Sequence, residues 1–239
     1  NIEDLKLLAI FIIFLMIFSK TSVCSVASKS DSGHDLKWKN GTKNIPLYFH
    51  TARDGLRTSS LSDSEIESII NTSIAQWNQF SPFEIVSLKQ TFKEDTASLN
   101  TISFSNDYRL FSSGVLAITS MSYDEDDGSI LGADIYINDS GNNSVTISAD
   151  ESSTQSLTAY LGDIISHEIG HLLGLAHSQN VGSTMWPKVY KGQFSHHSDD
   201  KKGLMQQYSL VESDSYLKGR ILTENETALF GVNVYLMSS

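Results

Sequence analysis

The residues with the clearest chemical potential form one short run, His167-Glu168-Ile169-Gly170-His171-Leu172-Leu173-Gly174-Leu175-Ala176-His177. On a helix, residues four apart share a face, so His167 and His171 can hold one metal ion between them. Glu168 lies about 100° further round the helix, close to that ion without having to ligate it. Gly174 can adopt a left-handed conformation, which ends the helix and turns the chain back. His177 can then offer a third nitrogen from outside the helix. Three neutral imidazoles leave the fourth tetrahedral position of Zn²⁺ to water, the catalytic rather than the structural arrangement. Zinc brings the pKa of such a water to roughly 7, and Glu168 can take its proton and pass it to a leaving amine.

This pattern, followed by a methionine turn, is the metzincin signature. Ser178 follows the third histidine, and Ser183-Thr184-Met185-Trp186-Pro187 places Met185 eight residues beyond it. The stretch resembles the matrixins, the matrix-metalloproteinase-like metzincins. Pro187 stands where astacins and serralysins carry a tyrosine. The resemblance extends over residues 44–210 and implies an α+β zincin domain. That domain would have a twisted mixed sheet, two long helices and a C-terminal helix. It implies one catalytic Zn²⁺ on His167, His171 and His177, with Glu168 as general base and then acid and Met185 as the apolar floor. It also implies an extended peptide or protein substrate lying antiparallel to an edge strand at 114–119. Gly114, Val115, Leu116 and Ala117 are the strand contacts it suggests. Pro187 and Tyr190 would wall a side-chain pocket behind His167.

Two departures from the family pattern carry expectations of their own. Vertebrate matrixins are held latent by a pro-segment cysteine, whereas Cys24 is the only cysteine here and lies outside any such motif; no cysteine switch is expected. Those enzymes also hold a structural zinc through histidines near the positions of Ile118 and Tyr136. Neither residue can ligate it, so one zinc per chain is expected.

The elements needed to position this chemistry can be read from pattern. Ile45, Leu47 and Phe49 alternate as a strand, although Pro46 suits an edge or a strand start. Ser62-Asp63-Ser64-Glu65 is a capping box, and Ile66, Ile69, Ile70, Trp77 and Phe80 follow at helical spacing. Strands are expected at Phe83–Leu88, Thr101–Ser105, Val115–Ser120 and Ile130–Asn138. Further helices are expected from Ser156 to Ala176 and from Ser198 to Tyr208. Residues 28–43 lack a period and read as a leader or short pro-segment. The catalytic domain is placed at 44–212. Residues 213–239 read as the opening hairpin of a truncated β-sandwich.

Composition narrows the partners. Seventeen Lys plus Arg against 28 Asp plus Glu give a net charge of -11, so nucleic acid is not an expected partner. Leu7 to Phe18 contain no polar residue, too short a run to span a bilayer comfortably but suited to a signal peptide covering residues 1–27. The protein is therefore expected to be a secreted monomer. Attachment to a membrane, through an uncleaved segment or a lipid on Cys24, is the alternative. Asp124 to Asp127 could bind Ca²⁺ or simply form a solvated turn. His196 and His197 read as exposed loop histidines. Two rival functions remain, a zincin scaffold that binds peptides without cutting them and a surface adhesin; the presence of Glu168 favours the peptidase.

Overall fold

The structure is a computed structural model, and it describes residues 26–53, 55, 57–90, 100–141 and 144–210. Residues 1–25 of the export segment, Cys24 among them, and the C-terminal hairpin lie outside the described residues. Ser25–Val211 form one compact unit.

The first strand, β1 (Asn44–Phe49), buries Ile45, Leu47 and Phe49 on one face, as the alternation requires. The helix α1 (Asp63–Asn78) begins at Ser62, whose side chain accepts from Glu65 N while Glu65 reaches back to the Ser62 backbone. Its apolar stripe, Ile66, Ile69, Ile70, Ile74 and Trp77, is buried. Then come β2 (Glu84–Lys89), β3 (Asn100–Ser105), a short 3₁₀ turn at Tyr108–Leu110, β4 (Ala117–Tyr123) and β5 (Ile130–Asn138). A small parallel pair follows, β6 (Thr146–Ser148) and β7 (Thr158–Tyr160), and then α2 (Leu161–Leu172) and α3 (Ser198–Gln207).

The main sheet has the order β2-β1-β3-β5-β4. Its first four strands run parallel, and β4 joins antiparallel to β5 as an edge. α1 and α2 pack on each other, and α2 also lies against β4 and β5. The architecture is the α+β arrangement expected, with the future cleft between the β4 edge and α2.

Two expectations need correction. β1 is a central strand despite Pro46. β3 begins to pair only at Leu47, and the Pro46 carbonyl is met by the Asn100 side-chain amide, so the missing N–H falls where no ladder partner exists. α2 starts at Leu161 rather than Ser156, because Leu157 has φ 57° and the chain then pairs as β7. It ends at Leu172, ahead of Gly174, which has φ 88°. Residues 28–43, read as a leader or short pro-segment, pack within this unit. Leu36 and Trp38 are buried, and the Trp38 indole N–H donates to Leu172 O at 2.9 Å.

The acidic turn joins β4 to β5. Asp124 and Asp127 accept from the backbone N–H groups of Asp126 and Ser129, at 3.0 and 2.8 Å, inside the turn itself. Ile118 and Tyr136 are cross-strand neighbours in the β4–β5 ladder.

Candidate metal centre and cleft

α2 carries His167 and His171 on one face, and the left-handed Gly174 returns the chain so that His177 meets them. The ring centroids are 4.8 Å apart for His167–His171, 5.2 Å for His167–His177 and 4.9 Å for His171–His177. One ligand atom from each lies within 4.8 Å of the others, and these three could hold a metal ion. The hydrogen bonds fix which nitrogens remain free. His167 Nδ1 lies 2.7 Å from Thr184 O and His171 Nδ1 lies 2.8 Å from Leu175 O. A carbonyl only accepts, so each Nδ1 carries the proton and each Nε2 keeps a lone pair for a metal. Burial, aided by the neighbouring histidines, lowers the pKa of both rings to about 4, which keeps them neutral. The donor set therefore fits a borderline-soft ion such as zinc.

Glu168 points from the same helix into the cleft and is 6% exposed. Burial raises its pKa, while electrostatic coupling to the His167 ring and a hydrogen bond from Thr119 oppose that rise. The Thr119 hydroxyl is 2.6 Å from Glu168 Oε2. The cavity in front of the histidines has a volume of about 630 Å³. Gly114, Val115, Leu116 and Ala117 line one side of it, and Pro187, Lys188 and Gln193 line another. Val145 and Ile164 lie in the lining beside His167 and make it partly apolar. Tyr190 does not line it. Its hydroxyl turns instead to Ser183 O at 3.2 Å, and burial pushes its pKa up to about 12.

Met185 is fully buried, and its thioether lies against Gly170, between the two helical histidines. A Cβ at Gly170 would sit 2.2 Å from Met185 Sδ and 3.1 Å from Trp77, so the contact needs glycine there. The turn bearing Met185 is held by Asp200. Asp200 Oδ1 accepts from Ser183 Oγ at 2.7 Å and from Met185 N at 3.1 Å. Asp200 Oδ2 accepts from Thr184 N and from His197 N, both at 2.9 Å. Asp199 accepts from Ser178 Oγ at 2.6 Å, and Asp163 accepts from Phe194 N at 2.6 Å.

Several of these supports escape a reading by spacing. Asp199 and Asp200 look like helix first-turn charges, which they are, but both are buried; Asp200 binds the methionine turn and Asp199 takes the Ser178 hydroxyl. Thr119, Asp163 and Gln193 carry no local pattern that distinguishes them. The histidine pair after Phe194 also differs from expectation. His196 is packed on Trp77 with centroids 4.2 Å apart and lies 3.1 Å from Ser166 Oγ, whereas His197 caps α3.

An α+β domain that brings three imidazoles and a buried carboxylate together beside a sheet edge offers a site for a metal ion. Comparison with known families is more specific: residues 42–209 match the matrixin family model, and the chain belongs to the matrixin family. Matrixins are metalloproteases that use zinc, and His167, His171 and His177 are the residues here that could bind it.

Proposed function

We propose that this protein is a zinc-dependent endopeptidase that cuts extended segments of protein substrates outside the cytoplasm, as a monomer. The observation that carries the reading is the convergence of three neutral imidazoles and the Glu168 carboxylate on one cavity beside the β4 edge. His167, His171 and His177 hold the ion. When bound, zinc supplies Lewis acidity, polarising a carbonyl and making water acidic enough to ionise near neutral pH. Glu168 takes the proton of the attacking water and delivers it to the departing amine nitrogen. The free edge of β4 offers backbone N–H and C=O groups that orient a peptide antiparallel to it, with Gly114 to Ala117 along the path. The partly apolar lining at Val145 and Ile164 receives a side chain and excludes water. The apolar run at 7–18 and its small-residue flank support export.

The test is incubation with a panel of unfolded proteins, comparing the native chain with Glu168→Ala and with chelator-treated protein. Cleavage by the native chain alone is the expected result. Cleavage that survives both treatments would overturn the assignment, and binding without cleavage would support the scaffold reading.

A further inference from the structure

Beyond the histidines, one side chain reaches the carboxylate on which the proposed peptidase reading depends. Thr119 Oγ1 lies 2.6 Å from Glu168 Oε2 and 3.2 Å from Glu168 O. A hydroxyl has one proton to give, and the shorter distance assigns it to the carboxylate. Glu168 Oε1 accepts no hydrogen bond from another described residue. Thr119 is in turn fixed by its place. On β4, Ala117, Thr119, Met121 and Tyr123 occupy one face of the strand, the face turned towards α2. Thr119 is also paired in register with Ile135 of β5. As a β-branched residue it has few rotamers, so its hydroxyl is a stiff anchor for a side chain that otherwise has three rotatable bonds.

We infer that Thr119 is a positioning residue that clamps Glu168 Oε2 and so presents Oε1 to the cleft. The strand that would align the peptide is then also the strand that aims the base. The inference rests on the peptidase reading, and the experiment separates the two.

Thr119→Val keeps the shape and removes the donor; Thr119→Ser keeps the donor. With the full zinc-loaded chain and a cleaved protein substrate, Thr119→Val is expected to lower kcat roughly 10- to 100-fold, with KM changed less than about threefold. Zinc content per chain stays unchanged, and Thr119→Ser recovers most of the rate. A second readout needs no activity. The shift in urea midpoint caused by Thr119→Val should largely vanish in a Glu168→Ala background, because the partner is gone. If the wild type cleaves and Thr119→Val cleaves equally fast, the inference falls and the peptidase reading stands. A rate loss shared equally by Thr119→Ser, or an identical midpoint shift in both backgrounds, also overturns it by making Thr119 merely structural. A wild-type chain that cleaves nothing sinks the peptidase reading and this inference with it.

Discussion

Removing the Asp200 carboxylate should loosen the floor of the metal cup while leaving all three histidines in place. Four donors converge on Asp200: Ser183 Oγ and Met185 N on Oδ1, Thr184 N and His197 N on Oδ2. Asp200 and Thr184 are fully buried, so water cannot substitute for it freely. In Asp200→Ala, Thr184 N and His197 N lose the one acceptor each has among the described residues. At about 1–3 kcal/mol for the buried Thr184 donor, and less for His197 N because that residue is exposed to water, the cost is about 3 kcal/mol. Asp200→Asn should cost less, because the amide oxygen can take the Oδ2 position and keep those two bonds. The NH₂ then faces Ser183 and Met185 N, which has a second acceptor in Ser183 Oγ at 3.0 Å. Loss of about one bond and of charge assistance comes to about 2 kcal/mol. Urea denaturation of the chelated chain measures both values, and competition with a chromogenic chelator measures zinc affinity, which should fall in the same order. If Asp200→Asn is as stable as the wild type and binds zinc equally well, Asp200 does not hold the turn and the reasoning fails.

Burial holds the pKa of His196 down at about 4, below its ordinary 6.5, so the unfolded chain binds an extra proton between those values. The stability from this group is thus full above about pH 6.5 and lost as pH falls towards 4, about 3 kcal/mol; urea midpoints across that window should slope less for His196→Gln. Gly170→Ala should destabilise by about 1–2 kcal/mol, despite the better helix propensity of alanine, because its Cβ would meet Met185 Sδ at 2.2 Å; a higher thermal midpoint would contradict that packing. Gly174→Ala places a side chain at φ 88° and 2.2 Å from Leu36 O, so zinc affinity should drop at least about tenfold with far-ultraviolet circular dichroism largely kept; unchanged affinity would show that His177 does not depend on this turn.

The metal cup was legible because ligation imposes local spacing: two histidines one turn apart, and a glycine at the one position where φ must become positive. The capping box at Ser62 and the alternation of Ile45, Leu47 and Phe49 were legible for the same reason, since each rule acts within a few residues. What remained hidden was set at a distance. Thr119 and Glu168 are 49 positions apart, and Ser166 and His196 are 30 apart. The burial of Leu36 and Trp38 depends on α2 and α3, which close over a stretch with no period of its own. Tyr190 misled because its neighbourhood is right, but its hydroxyl turns to Ser183 O.

The distribution of buried polar groups follows from where regular structure stops. Two ligands ride on α2, whose backbone satisfies itself, but residues 173–197 between α2 and α3 contain no helix or strand of their own. Their N–H and C=O groups must find partners elsewhere, since this segment is folded under and around the cup. Gln193 donates to Thr184 O and Trp186 O and accepts from Tyr190 N; Asp163 takes Phe194 N; Asp200 takes Thr184, Met185 and His197 N. The third ligand is secured similarly from far away, with Ser28 N donating to Gly174 O at 2.8 Å and Ala176 N donating to Val26 O at 2.7 Å. The carboxylates that look like surface charge in the sequence thus do what a ladder of backbone bonds would do elsewhere. That is why substitutions at Asp200 or Asp163 should loosen the cup and its floor before they alter the cleft edge. β4, anchored along its length to β5, depends on none of them.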